Sequence, residues 1–419
     1  MTFNRQVLSL VTAPFLFDHP LVSKMFPADA IRRAKEINTM MGGAVGAYSD
    51  SRGAMGVRKE VADFIQRRDG YPSNPGHIFL TDGASVSVRY VLNALIRDSN
   101  DAIMVPIPQY PLYSASIQLY GGTLLPYDLK EDAGWGMDID AIRTSIHDAR
   151  AKGTNVRALV FINPGNPTGQ VLTADNLKDL ARLAYEEGLV LMADEVYQPN
   201  IYTDDKPFVS AKKVIGEMGE PYASGVELAS FHTVSKGVLG ECGLRGGYVE
   251  FTNFHPGTID EMYKIASVNL SPNTVGQVMM ALMCNPPKPG DESYESYTKE
   301  MENGLASLRR RAHLMTDAFN SLEGVSCNFT EGAMYSFPRI RLPKKAIEAV
   351  EKAGKAPDLF YSLELLKETG IVVVQGSGFG QEAGTYHFRT TILPPEEKIE
   401  KFRNLLVDFH EKFMDKYRD

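Results

Sequence analysis

The chain has 419 residues, enough to bury a large core and to form two or more lobes. At 43% apolar and 23% charged it is composed like an ordinary globular protein, and a net charge of −8 argues against a nucleic-acid or anionic-membrane surface. Cys242, Cys284 and Cys327 are too widely spaced for a disulfide framework or a metal site, and no apolar run reaches the ~18–20 residues of a membrane span.

Residues 1–34 are apolar-rich, with Pro14, Pro20 and Pro27 breaking any long helix. They show no basic region, apolar core and cleavage site of a signal peptide, and the C-terminus is not a peroxisomal tripeptide. Residues 42–56 are Gly/Ser-rich and read as a loop carrying Tyr48; helical periodicity then spans 57–68 and stops at Gly70. Residues 78–80 read as a strand before the turn Asp82-Gly83-Ala84-Ser85 and a helix to about Arg97. Residues 102–105 read as a strand before Pro106-Ile107-Pro108-Gln109-Tyr110 and another helix.

Residues 156–162 form an expected buried strand, followed by the tight loop Asn163-Pro164-Gly165-Asn166-Pro167-Thr168-Gly169 and a helix over 173–187. The strand 189–193 ends in Asp194-Glu195-Val196-Tyr197, and two more strands are expected at 227–231 and 248–251. Such alternation predicts an α/β unit with a mostly parallel sheet, whose ligands gather at the carboxyl ends of the strands. After Pro286-Pro287-Lys288-Pro289-Gly290 the pattern becomes a long charged helix over 293–322 and an α+β region with strands near 334–340 and 371–374. The expected division is an N-terminal segment 1–34 packing with the smaller domain, a large cofactor-binding domain 35–290 and a small C-terminal domain 291–419.

The chemistry centres on Ser235-Lys236-Gly237, with Arg245 nine residues on. An amine and a guanidinium close together suit a ligand with an electrophilic carbon and a phosphate. Pyridoxal phosphate is such a ligand, because its aldehyde condenses with lysine and its phosphate suits an arginine fork. It also needs a carboxylate on the ring nitrogen, which makes the ring an electron sink. Asp194 is placed for that role at a strand end, and Tyr197 and Asn166 could meet the ring oxygen. Backbone N–H groups at Gly83-Ala84-Ser85, the Ser85 hydroxyl and Arg245 could form a phosphate cup. Each piece also has a plainer reading: a surface lysine and arginine, an ordinary turn, a solvated strand end, a helix N-cap.

Taken in order, Asn166-Pro167-Thr168-Gly169, Asp194-Glu195-Val196-Tyr197 and Ser235-Lys236-Gly237 with Arg245 resemble the fold-type-I aminotransferases. The strings NPGNPTGQ (163–170), ADEVYQ (193–198), GECGLRGGY (240–248), EGAMYSFP (331–338) and GSGFGQ (376–381) resemble the alanine aminotransferase family, including its glutamate–glyoxylate branch. The resemblance implies a pyridoxal 5′-phosphate enzyme of fold type I: a large domain with a mostly parallel sheet plus a smaller α+β domain. It implies Lys236 as the catalytic lysine, Asp194 on the ring nitrogen, Asn166 and Tyr197 on the ring oxygen, and Tyr110 stacked on the ring. Ala84, Ser85, Thr233, Ser235 and Arg245 would hold the phosphate. Tyr48 would reach it from the other subunit of a homodimer, and Arg389, with Asn166 beside it, would grip the substrate carboxylate.

The implied reaction transfers an amino group between alanine and 2-oxoglutarate in a ping-pong cycle; glutamate with glyoxylate is the alternative. Strings such as GAYSDSRG, RRDGYPS, FHTVSKG and NFTEGAMYSFP resemble the glutamate–glyoxylate branch as closely. The expected partners are small amino and keto acids, with no nucleic acid, membrane or metal. The expected compartment is the cytoplasm, with an organelle open if an N-terminal segment is missing. Members of the family usually begin with an additional arm near the substrate; this chain starts at the segment after it.

Rival readings fare worse. Gly376-Ser377-Gly378-Phe379-Gly380 lacks the G-x-G-x-x-G spacing of a dinucleotide site. A cofactor-binding sensor without catalysis would be expected to lack Arg389 or to add a binding domain. A lyase on the same cofactor is not excluded by the cofactor motifs.

Overall fold

The structure is a computed structural model and describes residues 1–351 and 354–418. Its centre is a seven-stranded sheet of β1 (Ile78–Thr81), β2 (Asp101–Ile107), β3 (Thr123–Asp128), β4 (Asn155–Ile162), β5 (Val190–Asp194), β6 (Leu228–Thr233) and β7 (Gly247–Thr252). The spatial order is β1-β7-β6-β5-β4-β2-β3. From β3 across to β6 all pairings are parallel, and β7 runs antiparallel to both of its neighbours.

Alternation within the strands builds two apolar layers. Ala158, Val160 and Ile162 of β4 face a cluster that includes Val88, Leu92, Ile117 and Met262. Leu159 and Phe161 face the opposite one, with Ile146, Leu180 and Val214. Helices therefore cover both sheet faces, as a mostly parallel sheet requires. Each is held locally: Thr173 and Asn176 form a capping box at the start of Ala174–Glu187, and the helix ends at Gly188 in the left-handed region.

Beyond residue 290 the long helix Tyr294–Asn320 leads to short strands: β8 (Val325–Ser326), β9 (Tyr335–Ser336), β10 (Arg339–Ile340), β11 (Val374–Gln375) and β12 (Phe388–Thr391). They pair as β10-β8 and β11-β12-β9 and pack with the helices Pro357–Thr369 and Glu396–Tyr417 around Tyr361, Phe388 and Phe409.

Two strand expectations are corrected. The run 334–340 divides into β9 and β10 around Phe337-Pro338, since proline offers no N–H to a ladder. In 371–374 only Val374 is in a strand, and Val372 is 73% exposed, so that apolar run is not a buried strand.

The N-terminal helix Thr2–Thr12 buries Phe3, Val7, Leu10 and Val11 in a cluster with Val57, Val61, Ile65 and residues 278–282. It meets the residues beyond 290 through the Phe3–Tyr297 edge contact and the Thr2 N–H to Glu300 at 2.9 Å.

Candidate active site

Parallel strands aim their carboxyl ends at one edge of the sheet, and the polar turns after β1, β2, β4, β5 and β6 meet there. Ala84, Ser85, Tyr110, Asn166, Asp194, Tyr197, Thr233, Ser235, Lys236 and Arg245 line one cavity. Val88, Leu112, Ile162 and Val196 give it apolar walls.

Asp194 is the last residue of β5 and is buried among those walls. Its Oδ2 accepts the Tyr113 hydroxyl at 2.8 Å, while Oδ1 is buried with no hydrogen-bond partner. Burial pushes the carboxyl up to about 6, against the Tyr113 bond, the Val196 N–H and the charge of Lys236. A buried carboxylate oxygen without a donor is costly, so this one is set to receive one from a ligand.

Lys236 is half-buried, and among the described residues its ammonium makes no hydrogen bond or ion pair. Its Nζ stands 5.7 Å from the centre of the Tyr197 ring. The Tyr197 hydroxyl receives the Asn166 side-chain N–H at 3.3 Å and lies 3.1 Å from the Tyr335 hydroxyl.

At the other end of the cavity the geometry suits an anion. Arg245 adopts φ 54 and donates through Nη2 to the Asp82 carbonyl at 2.9 Å and the Ser85 hydroxyl at 3.2 Å. The helix Ala84–Leu95 begins there, and its first N–H groups have no intrahelical acceptors. Gly83 permits the approach: its φ is 81, and a Cβ on it would lie 2.4 Å from the Arg245 Nη2. Thr233 is fixed by donating to the Gly246 carbonyl at 2.6 Å, and the Ser235 N–H donates to the Thr233 hydroxyl at 3.2 Å.

Arg389, in β12, reaches the site through Asn166, whose Oδ1 accepts its Nη1 at 3.0 Å. Its guanidinium lies against two aromatic rings, 4.4 Å from the centre of Tyr335 and 4.8 Å from that of Phe379. Among the described residues it has no carboxylate partner, and its buried Nε is unbonded. Tyr48 is not brought to the cavity within one chain; it is 79% exposed.

Tyr113, Tyr335 and Phe379 are additions to the expected set. Tyr335 and Phe379 fall inside the strings EGAMYSFP and GSGFGQ, which carry the resemblance but assign these two residues no role. Tyr113 stands three residues after Tyr110, at the start of the helix Leu112–Leu119.

A family model described as aminotransferase class I and II matches residues 20–406. The chain is 58% identical over its whole length to glutamate–glyoxylate aminotransferase 2 of Arabidopsis thaliana, covering 87% of that protein. It is 54% identical to a probable mitochondrial alanine aminotransferase of Dictyostelium discoideum, covering all of this chain and 78% of the relative. Among solved structures it is similar to the alanine aminotransferase from Pyrococcus furiosus, with a TM-score of 0.76 and 26% identity, covering 91% of this chain and 88% of the other.

Proposed function

From the premise that this chain belongs to the class I and II aminotransferase family, with the α/β architecture of fold type I, we propose that it moves an amino group between alanine and 2-oxoglutarate, with pyridoxal phosphate as the carrier. The observation that carries the reading is the buried Asp194 Oδ1 without a donor, in the same cavity as the unpaired Lys236. A pyridinium N–H is the donor such an oxygen lacks. The Arg245 corner, with a helix N-terminus beside it, supports the phosphate end of the same ligand. The residues present therefore fit the cofactor.

Bound there, pyridoxal phosphate would supply a carbon that takes the amino group and a ring that accepts the electron pair left when the α-proton departs. Lys236 Nζ would take the proton from the substrate Cα, acting as a base inside the cavity. Asp194 would keep the ring nitrogen protonated, and Tyr197 with Asn166 would donate to the ring oxygen. Ser85, Thr233, Ser235 and Arg245 would hold the phosphate, and Tyr110 would cover the ring. Arg389 would bind the α-carboxylate common to amino donors and keto acceptors, so one group serves both half-reactions. In this reading two copies of the chain share their sites, with Tyr48 crossing to the partner's phosphate, and the protein works in the cytoplasm.

A second reading is glutamate with glyoxylate, favoured by the 58% identity to a relative of that name. Single-turnover rates with alanine, glutamate, pyruvate, 2-oxoglutarate and glyoxylate separate the two. Fast alanine and 2-oxoglutarate half-reactions support the first, and glyoxylate outpacing both keto acids installs the second. No turnover with any of the five would sink both.

A further inference from the structure

Tyr197 and Tyr335 lie 138 residues apart in the chain and meet hydroxyl to hydroxyl at 3.1 Å, with ring centroids 5.8 Å apart and planes at 85°. Both are more than nine-tenths buried, so neither hydroxyl can turn to bulk water. A phenol has one proton to give and two lone pairs to fill. Asn166 fills one lone pair of Tyr197 with its Nδ2 N–H at 3.3 Å. The Tyr335 hydroxyl has Tyr197 as its one hydrogen-bond partner among the described residues.

Counting protons fixes the direction of this pair once an acceptor sits beside Tyr197. If Tyr197 gave its proton to Tyr335, the ligand oxygen would be left without it, and the Tyr335 proton would have no acceptor. With Tyr335 donating to Tyr197 and Tyr197 donating onward, both phenolic protons have an acceptor and both lone pairs of Tyr197 are filled. Hydrogen bonds in series polarise one another, so the last donor is strengthened by the one behind it.

Tyr335 also touches the opposite end of the site, because its ring face lies 4.4 Å beneath the Arg389 guanidinium. Arg389 in turn donates to Asn166, the other residue bonded to Tyr197. Arg389, Asn166, Tyr197 and Tyr335 thus close a ring of contacts.

We propose that Tyr335 is a positioning residue with two separable parts: its hydroxyl drives the Tyr197 proton toward the ring oxygen of the cofactor, and its ring face holds Arg389 for the substrate carboxylate. The inference rests on the pyridoxal-phosphate reading above. A phenylalanine would keep the second part and lose the first. The other ionisable groups facing Tyr197 are Asp194, Tyr110 and Lys236, all untouched by that change.

The test is the pH titration of the visible absorbance of the cofactor-loaded protein, without substrate. A donor to the ring oxygen stabilises its anionic form, so the nitrogen contributed by Lys236 holds its proton less tightly. Tyr335→Phe weakens that donor and should raise the midpoint by about 0.3–0.6 pH unit. In a Tyr197→Phe background the same substitution should shift nothing, a result that general loosening of the site would not give. Tyr335→Leu, which removes the ring as well, should in addition raise KM for both amino and keto acid substrates, where Tyr335→Phe should leave KM within about twofold of wild type. An unshifted midpoint in Tyr335→Phe, or an equal shift without the Tyr197 hydroxyl, overturns the proposal. A wild-type protein that takes up no pyridoxal phosphate overturns the functional reading beneath it instead.

Discussion

Arg389 donates through Nη1 to the Asn166 side-chain oxygen at 3.0 Å, and its buried Nε, in the same guanidinium, has no partner. A half-buried guanidinium is costly without compensation. Here the rings of Tyr335 and Phe379 supply part of it, at 4.4 and 4.8 Å, while no carboxylate of the described residues does. The cation is oriented but not neutralised, which is the state a carboxylate ligand would complete.

Arg389→Lys keeps the charge and loses the planar fork. It should lower kcat/KM for amino donor and keto acceptor alike by ~2–4 kcal/mol, roughly 30- to 1000-fold. The cofactor absorbance should stay as in wild type. An effect on one substrate alone would assign Arg389 to a side chain rather than to the shared carboxylate.

The unpaired Lys236 leads to a chemical prediction. Borohydride treatment of the loaded protein should bleach its visible band and leave a pyridoxyl group on Lys236, located by peptide mapping. Lys236→Ala should lose turnover by at least about a thousandfold. A pyridoxyl group found on any other lysine refutes the assignment.

Asp194→Ala should retain bound cofactor yet slow proton removal from the substrate at least about a hundredfold, since each ~1.4 kcal/mol of lost stabilisation is tenfold in rate. Turnover within about threefold of wild type would remove Asp194 from the mechanism.

Glu195, next to Asp194, gives a prediction on stability rather than rate. It is 1% exposed and accepts the Ala211 N–H at 2.7 Å; burial pushes its carboxyl up to about 7, Arg68 opposing and Asp69 and Glu250 adding to the rise. A folded-state value raised above that of the unfolded chain contributes stability at low pH that is lost as pH climbs through about 7. Glu195→Gln keeps the acceptor and cannot ionise. Its thermal stability should therefore improve relative to wild type between pH 5 and 8, by an amount on the order of 3 kcal/mol. Parallel melting curves that keep a constant gap across that range would contradict the buried-charge account.

Gly83→Ala tests the anion corner, where φ is 81 and the added Cβ would meet Arg245 Nη2 at 2.4 Å. Affinity for pyridoxal phosphate should fall at least about tenfold, with a stability cost of about 1–3 kcal/mol. Unchanged affinity would mean that Arg245 has other room to bind.

What was legible in the sequence is what one segment decides by itself. Asp194 ends a strand, and Asn166, Lys236 and Arg245 lie within four residues of one, so apolar runs announce all four, and all four line the cavity. Partners were not legible. Tyr113 is 81 residues from Asp194 and Tyr335 is 138 from Tyr197, so no local pattern pairs them. β3 passed unread because it lies on the sheet edge, contains Pro126 and is mostly half-exposed. The run 371–374 misled in the opposite sense: its β-branched residues suit a strand, but most of them have no partner strand.

β7, the one antiparallel strand of the seven-stranded sheet, has a consequence for how this chain can vary. Thr233, at the end of β6, is in register with Gly247, at the start of β7, and its hydroxyl is tied to the Gly246 carbonyl at 2.6 Å. The Val234 carbonyl accepts Glu241 N–H at 3.0 Å. The neck of the loop is thus sewn shut, with Lys236 on one side of the seam and Arg245 on the other. Their separation in space is set by the register of two neighbouring strands together with the loop itself, because the Gly240 N–H donates to the Lys236 carbonyl at 3.4 Å while Val238 and Leu239 pack against apolar clusters. A residue added or removed at 238–240 would therefore move the amine relative to the guanidinium.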